Sequence, residues 1–192
     1  MTNDSQRRFR RVALLLALAA IVVSASPAHG KKKSAGTTCP GGLDTSRSGQ
    51  PTVPLAIAVG VFTGEKKGLL APDQIFLSTR LRNAAWTTFH RRPSAVDVAD
   101  YMSSPATIPT VQVGDVINVT APGSAMGYGA LATALSAGSD LVVPVVTFGR
   151  RGTATVVGFA TLQTTAIKGR GNPKYFQGTV VSLDLDPCFA PH

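Results

Sequence analysis

The sequence predicts a mainly β fold, a small curled sheet or barrel-like domain with one or two short helices. Three apolar runs between residues 140 and 185 are separated by the turn sequences GRRG and KGRGNP, a pattern typical of a three-stranded meander. The 19 Gly and 13 Pro residues, together with only 15% charged residues, fit a turn-rich β protein. The chain has 192 residues, of which 44% are hydrophobic, so it is long enough for one domain with its own core.

The middle run of this meander, residues 153–167, alternates with a period of two and is rich in β-branched residues, which indicates a strand. One side carries small, apolar or hydroxyl residues: Ala154, Val156, Gly158, Ala160, Leu162, Thr164 and Ala166. The other side mixes Thr with Val, Phe and Ile, so we expect it to be partly covered. Because the run is long for a strand, Gly158 is predicted to form a bend or bulge that lets it curl.

Residues 1–30 are predicted to be a secretory signal peptide. Four arginines between residues 7 and 11 precede an apolar run at residues 12–23, and small residues follow. An uncleaved anchor is the alternative, although this run is short for a bilayer span. We therefore expect a secreted or extracytoplasmic protein, in the periplasm or at the cell surface, that meets a membrane only through such an anchor.

Residues 31–50 contain almost no large apolar residue and are predicted to be a flexible arm before a single β-rich domain at residues 51–192. Cys39 lies in this arm and Cys188 lies near the C terminus. An even number of cysteines in an exported chain predicts a Cys39–Cys188 disulfide, and two free thiols are the alternative. In the chain-entropy model, so long a closed loop stabilises the fold by about 4–5 kcal/mol.

Shorter elements precede the meander. Residues 52–62 are a strand candidate, and residues 63–68 form a turn. Ser94 with Asp97 makes a capping-box pattern at the start of a helix over residues 95–102, and Pro105 prevents its continuation.

Three further features are predicted between this helix and the meander. Residues 111–120 read as two short strands around a turn or bulge at Gly114 and Asp115. Residues 125–137 read as a helix that ends at Gly138. Pro144 indicates that the first meander strand lies at a sheet edge or is interrupted there.

No catalytic residue, cofactor site or metal site is predicted. His90 is the only histidine away from the predicted signal and the C terminus, and no G-x-S-x-G motif accompanies it. Metal-ligand spacings such as Cys-x-x-Cys do not occur, and the glycine-rich residues 168–174 join two strands without a helix that could hold phosphate. A secreted hydrolase that uses Asp carboxylates is the alternative. It requires clustering within about 5–10 Å of some of Asp97, Asp100, Asp115, Asp184 and Asp186.

The net charge is +9, which raises the question of an anionic partner. Arg150 and Arg151 lie in the turn before the long strand, and Lys168 and Arg170 lie in the turn after it. This separation argues against one nucleic-acid patch, and only 6% of the residues are aromatic. We therefore expect no nucleic acid as a partner. An anionic wall polymer is the remaining possible partner of this kind, and its binding would require one contiguous basic face on the protein.

Several segments occur in an order that resembles a known family. They are AWTTF (85–89), VQVGDVINVT (111–120), an Ala-Leu segment (128–135), VVPVV (142–146), VVGFA (156–160) and KYFQGTVV (174–181). This order resembles the C-terminal extracytoplasmic module of bacterial Tad (tight adherence, Flp-type) pilus-assembly proteins of the TadE/TadG-like group, over about half of the chain.

The N-terminal apolar run departs from that group, because it is shorter than the group's membrane helix and contains no Glu. The resemblance implies a shared β module and, less directly, a place in pilus assembly. It transfers no enzymatic residue. We therefore expect a non-enzymatic structural or binding module that has a protein partner in the cell envelope and acts in pilus assembly or surface attachment.

Overall fold

Five strands close into a barrel in the computed structural model, which describes residues 42–189. The strands are β1 (Ser48–Gly49), β2 (Leu55–Ala58), β3 (Leu69–Ala71), β4 (Gln74–Ser78), β5 (Ala84–Phe89), β6 (Val111–Gln112), β7 (Val116–Val119), β8 (Asp140–Phe148), β9 (Thr153–Lys168) and β10 (Tyr175–Leu185). The helices are α1 (Ala95–Ser103) and α2 (Tyr128–Ala134). The predicted mainly β, barrel-like class with two short helices is thus confirmed.

The barrel runs in the order β9, β7, β5, β2 and β8, and the pairing of β8 with β9 closes it. The β2–β8 pair is parallel, whereas the other barrel pairs are antiparallel. From β9 the sheet continues outward through β10, β4 and β3, and β1 pairs separately with β6. The structure therefore consists of a closed barrel with an open sheet attached through β9.

The predicted meander β8–β9–β10 is confirmed, and β9 belongs to both the barrel and the open sheet. One edge of β9 pairs with β8; the other pairs first with β7 and then, from Gly158 onward, with β10. The register with β8 shifts between Val145 and Val146, opposite Gly158 and Val156, which is a bulge. A Cβ on Gly158 would lie 2.8 Å from the Cα of Leu185. Gly158 therefore marks the predicted bulge, and its lack of a side chain lets β10 approach.

The bulge changes one detail of the predicted alternation. Ala154 and Val156 belong to a core cluster that receives side chains from all five barrel strands. Ala160 and Leu162 belong to a second cluster, to which β4, β10 and both helices contribute. The predicted single face is therefore divided at the bulge, because the extra residue reverses the side on which later residues lie.

The prediction of an edge strand at Pro144 is wrong, because β8 lies between β2 and β9. The alternative prediction, an interruption at Pro144, is also wrong, because β8 runs without a break from Asp140 to Phe148 and Pro144 pairs with Phe159 of β9. The pairing of β8 with β2 begins only at Val145, immediately after Pro144. The missing N–H of proline thus falls outside that ladder.

Both predicted helices are present. Ser94 caps α1 by accepting a hydrogen bond from the Asp97 N–H at 3.1 Å, and Val98 and Met102 are buried against the core. The helix α2 is shorter than predicted, because it ends at Ala134 with Leu135 as its C-cap. Gly138, the predicted end, lies instead in the turn before β8, with a positive φ of 87°. Among the residues that the structure describes, no helix is long and apolar enough to cross a membrane.

The last part of the predicted arm packs on the barrel instead of acting as a linker. Ser48 and Gly49 form β1, and Arg47 makes an ion pair with Asp184 and donates to the Leu185 carbonyl at 2.8 Å. The Asp44 N–H donates to the Asp186 carboxylate at 2.9 Å. The start of the described chain is therefore attached to its C-terminal end.

The same contacts bear on the predicted disulfide. Cys188 follows closely on Asp186, and Cys39 precedes Asp44 by five residues. Cys39 lies outside the described residues, as does the whole predicted signal, so the Cys39–Cys188 bridge stays a prediction. The Asp44–Asp186 hydrogen bond shows that the chain ends leading to both cysteines lie side by side.

Candidate functional site

A basic groove lies where three loops meet, after β2, between β4 and β5, and after β7. Its volume is about 540 Å³, and six residues line it: Lys66, Lys67, Arg80, Leu81, Arg82 and Pro122. Four of the six are cations, and the other two are apolar. We call this feature the basic groove.

Asn83 holds two of the three loops in place. Its side chain is completely buried, and its amide nitrogen donates to the carbonyls of Lys67 at 3.0 Å and Phe76 at 2.9 Å. Its amide oxygen accepts from the Ser78 N–H at 3.2 Å. Gly68 allows this arrangement, because a Cβ at that position would collide with the Asn83 amide. One buried side chain thus joins the loop of Lys66 and Lys67 to the loop of Arg80 and Arg82.

The third loop is joined through Arg82. Its Nε donates to the Pro122 carbonyl at 3.3 Å, and its backbone has a positive φ of 52°. Gly123, with a φ of 86°, passes so close to this turn that a Cβ would lie 2.7 Å from the Thr79 carbonyl oxygen. The Trp86 indole nitrogen donates to the Ser124 carbonyl at 3.1 Å and secures the same loop. The loops of the groove are therefore supported by the barrel.

The groove cations carry charge that no carboxylate neutralises in the described part of the chain. The ion pairs found among residues 42–189 are Arg47–Asp184 and Arg91–Asp97, and neither involves the groove. Lys66 places its Nζ over the Phe148 ring, 5.4 Å from the centroid, a cation–π contact that leaves its charge in place. Such a concentration of positive charge favours an anion at this position.

Two groups with displaced pKa values lie elsewhere. Hydrogen bonds from the Ser46 hydroxyl, at 2.6 Å, and from the Ser46 N–H lower the pKa of Asp44. Burial raises the pKa of the Tyr128 hydroxyl, which packs edge-on against Trp86. Neither group lines the groove, so neither contributes to its chemistry.

The carboxylates of the hydrolase alternative, except that of Asp100, make separate local contacts. Asp97 bonds to the Ser94 hydroxyl and pairs with Arg91 at 2.8 Å, and Asp100 is exposed on α1. Asp115 accepts from the Gln112 N–H at 2.8 Å, as expected of a turn residue.

Asp184 and Asp186 differ in their surroundings. Asp184 is exposed and pairs with Arg47, whereas Asp186 is buried and accepts from the backbone N–H groups of Asp44 and Cys188. In these contacts the two carboxylates bind different partners. Within residues 42–189, no three His, Cys, Asp or Glu side chains are placed to hold a metal ion. His90 is exposed just after β5.

The sequence prediction missed the groove, although its residues were visible. Lys66 and Lys67 lie in the predicted turn at residues 63–68, and Arg80 and Arg82 flank Leu81 in a segment with no clear period. The sequence feature that could have indicated the groove is the pair of basic loops on either side of the β3–β4 hairpin. Their convergence depends on Asn83, whose role cannot be read from local sequence.

Comparisons of the chain with protein-family models, with curated proteins and with solved structures gave no match.

Proposed function

We propose that the chain is an extracytoplasmic, non-enzymatic binding module that holds an anionic partner in the cell envelope through the basic groove. The observation that carries the proposal is the convergence of Lys66, Lys67, Arg80 and Arg82 on one groove without a carboxylate partner in the described chain. Charge-assisted hydrogen bonds from arginine and lysine to oxyanions are among the strongest polar contacts that proteins make.

The composition of the groove supports the binding of an anion. Its polar side chains are all cations. Leu81 and Pro122 provide apolar surface beside the cations. This combination suits the recognition of a partner that carries negative charge on an otherwise less polar framework.

The predicted export of the chain and its resemblance to the Tad pilus-assembly module supply the setting. In that setting the module attaches to an anionic component at the cell surface, and it serves surface attachment or pilus assembly together with an envelope protein. The fold supports this role because the loops that form the groove are anchored in a closed barrel.

Retention on an immobilised polyanion tests the proposal. The groove variant Arg80→Gln/Arg82→Gln is compared with Arg91→Gln/Arg92→Gln, which removes the same charge beyond the opposite end of β5. These positions are about 20 Å apart along the strand. We expect the groove variant to elute at a clearly lower salt concentration than wild type and the control variant to elute close to wild type. Equal shifts for both variants would show that retention reports net charge alone, and the proposed site would be wrong.

A further inference from the structure

A second group of cations lies beside the groove, on the turn between β9 and β10. Lys168, Arg170 and Lys174 belong to this turn, and Lys168 and Arg170 are exposed. The sequence places this turn at the end of the long strand opposite to the turn of Arg150 and Arg151. Its position relative to the groove follows from strand register.

Strand register brings the turn to the same end of the sheet as the groove. Tyr175 of β10 pairs with Ser78 of β4 on one side and with Lys168 of β9 on the other. The three residues therefore form one row across three adjacent strands. Since neighbouring strands are about 4.8 Å apart, the backbone of Lys168 lies about 10 Å from that of Ser78, two residues before Arg80.

Direct contacts join the turn to the walls of the groove. The Thr79 N–H donates to the Lys174 carbonyl at 3.2 Å, and the Lys174 Nζ donates to the Ala125 carbonyl at 3.3 Å. Gly169 packs so closely on α2 that a Cβ would lie 2.8 Å from the Tyr128 carbonyl oxygen. The turn is therefore held next to the β4–β5 loop and to the loop after β7, both of which line the groove.

The groove and the adjoining β9–β10 turn form one surface that contains few acidic residues. Residues 78–83, 121–127 and 168–174 contain no Asp or Glu, and Glu65 is the only acid in the loop of Lys66 and Lys67. We name the groove together with Lys168, Arg170 and Lys174 the basic track. Such a track is too long for one small anion, because its cations are distributed over several loops.

From this arrangement we infer that the basic track binds a linear phosphate polymer, several consecutive phosphates of which contact cations from the groove to the β9–β10 turn. This inference rests on the proposed function and names its ligand. The arginine forks match the paired oxygens of phosphate, and the lysines add compact charges. Leu81 and Pro122 fit the carbon linkers of a polyol phosphate, and no aromatic residue lines the groove to stack a base.

The test compares ligands of different length with matched variants of the full chain. Affinities for tripolyphosphate and for long-chain polyphosphate are measured by titration calorimetry at fixed salt. The variants are Lys168→Gln/Arg170→Gln at the far end of the track, Arg80→Gln/Arg82→Gln in the groove, and Arg91→Gln/Arg92→Gln as the control of equal charge. Thermal melting checks that each variant is folded.

We expect the far-end variant to bind the long polymer about tenfold more weakly than wild type and to bind tripolyphosphate within about twofold of wild type. The groove variant is expected to lose affinity for both ligands. If the far-end variant loses affinity for neither ligand, or loses it equally for both, polymer binding along the basic track is refuted. The proposed function of the basic groove is not affected by that result. If wild type binds neither ligand, the proposed function itself is wrong.

Two further ligands test the phosphate assignment. Poly(glycerol phosphate) is compared with polygalacturonate and with oligothymidylate of equal charge. The inference expects the polyol phosphate to bind at least as tightly as either competitor. Tighter binding of polygalacturonate would identify a carboxylate polymer as the ligand, and tighter binding of oligothymidylate would identify a nucleic acid. Either result would overturn the inference.

Discussion

Replacement of Asn83 by alanine tests whether the basic groove depends on a single buried side chain. The change removes both donors, to the Lys67 and Phe76 carbonyls, and the acceptor for the Ser78 N–H. At a fully buried position these backbone groups gain no water in exchange. Three lost hydrogen bonds at about 1–1.5 kcal/mol each give a cost of about 3–5 kcal/mol.

Urea and thermal unfolding measure this cost. For a domain of this size the loss corresponds to a fall in Tm of about 10 °C. The matched control is Asn118→Ala, which removes one side-chain hydrogen bond of 3.3 Å to the Phe89 carbonyl from a half-buried position. We expect the control to cost about 1 kcal/mol or less.

Polyanion affinity provides the second measurement on Asn83→Ala. At a temperature where the variant remains folded, binding should weaken because the loop of Lys66 and Lys67 loses its attachment to the loop of Arg80 and Arg82. The reasoning is refuted if Asn83→Ala is no less stable than Asn118→Ala. It is also refuted if the folded variant binds the polyanion as tightly as wild type.

Three other predictions concern the framework. Gly158→Ala should destabilise the domain by about 3 kcal/mol in a urea titration, because the added Cβ would collide with the β10 backbone. The control Gly129→Ala, which adds a Cβ in open space on α2, should leave the stability unchanged or raise it. Similar free energies of unfolding for the two variants would contradict the close packing of Gly158. Arg47→Ala, which loses an ion pair and a hydrogen bond to β10, should cost about 1–2 kcal/mol in urea unfolding, and an unchanged midpoint would argue against that role. Non-reducing mass analysis should find Cys39 and Cys188 without free thiols, and two alkylatable thiols would exclude the bridge.

Local patterns in the sequence were sufficient for the elements that depend on local chemistry. The β-branched alternation predicted β9, Ser94 predicted the start of α1, and glycine-rich turns delimited the meander. Gly158 was also identified in advance, because a strand of that length requires a break in its register. In each case the decisive residues lie within a few positions of the element that they define.

Features that depend on contacts between distant residues could not be predicted in the same way. The parallel β2–β8 pair joins two barrel strands that are far apart in sequence, and no local pattern encodes it. The groove required Asn83 to bind backbone in two other segments, and an asparagine in a turn region is usually read as a turn residue. The position of the β9–β10 turn beside the groove likewise follows from the register of β10 between β4 and β9.

The most direct test of the basic groove is a titration of the isotopically labelled protein with polyphosphate, followed by amide chemical shifts in NMR spectra. We predict that the largest shift changes occur at the amides of residues 66–68, 80–83, 123 and 124, and that they saturate together. Changes that are centred on residues 90–92, or that are spread evenly over the exposed lysines and arginines, would contradict this prediction.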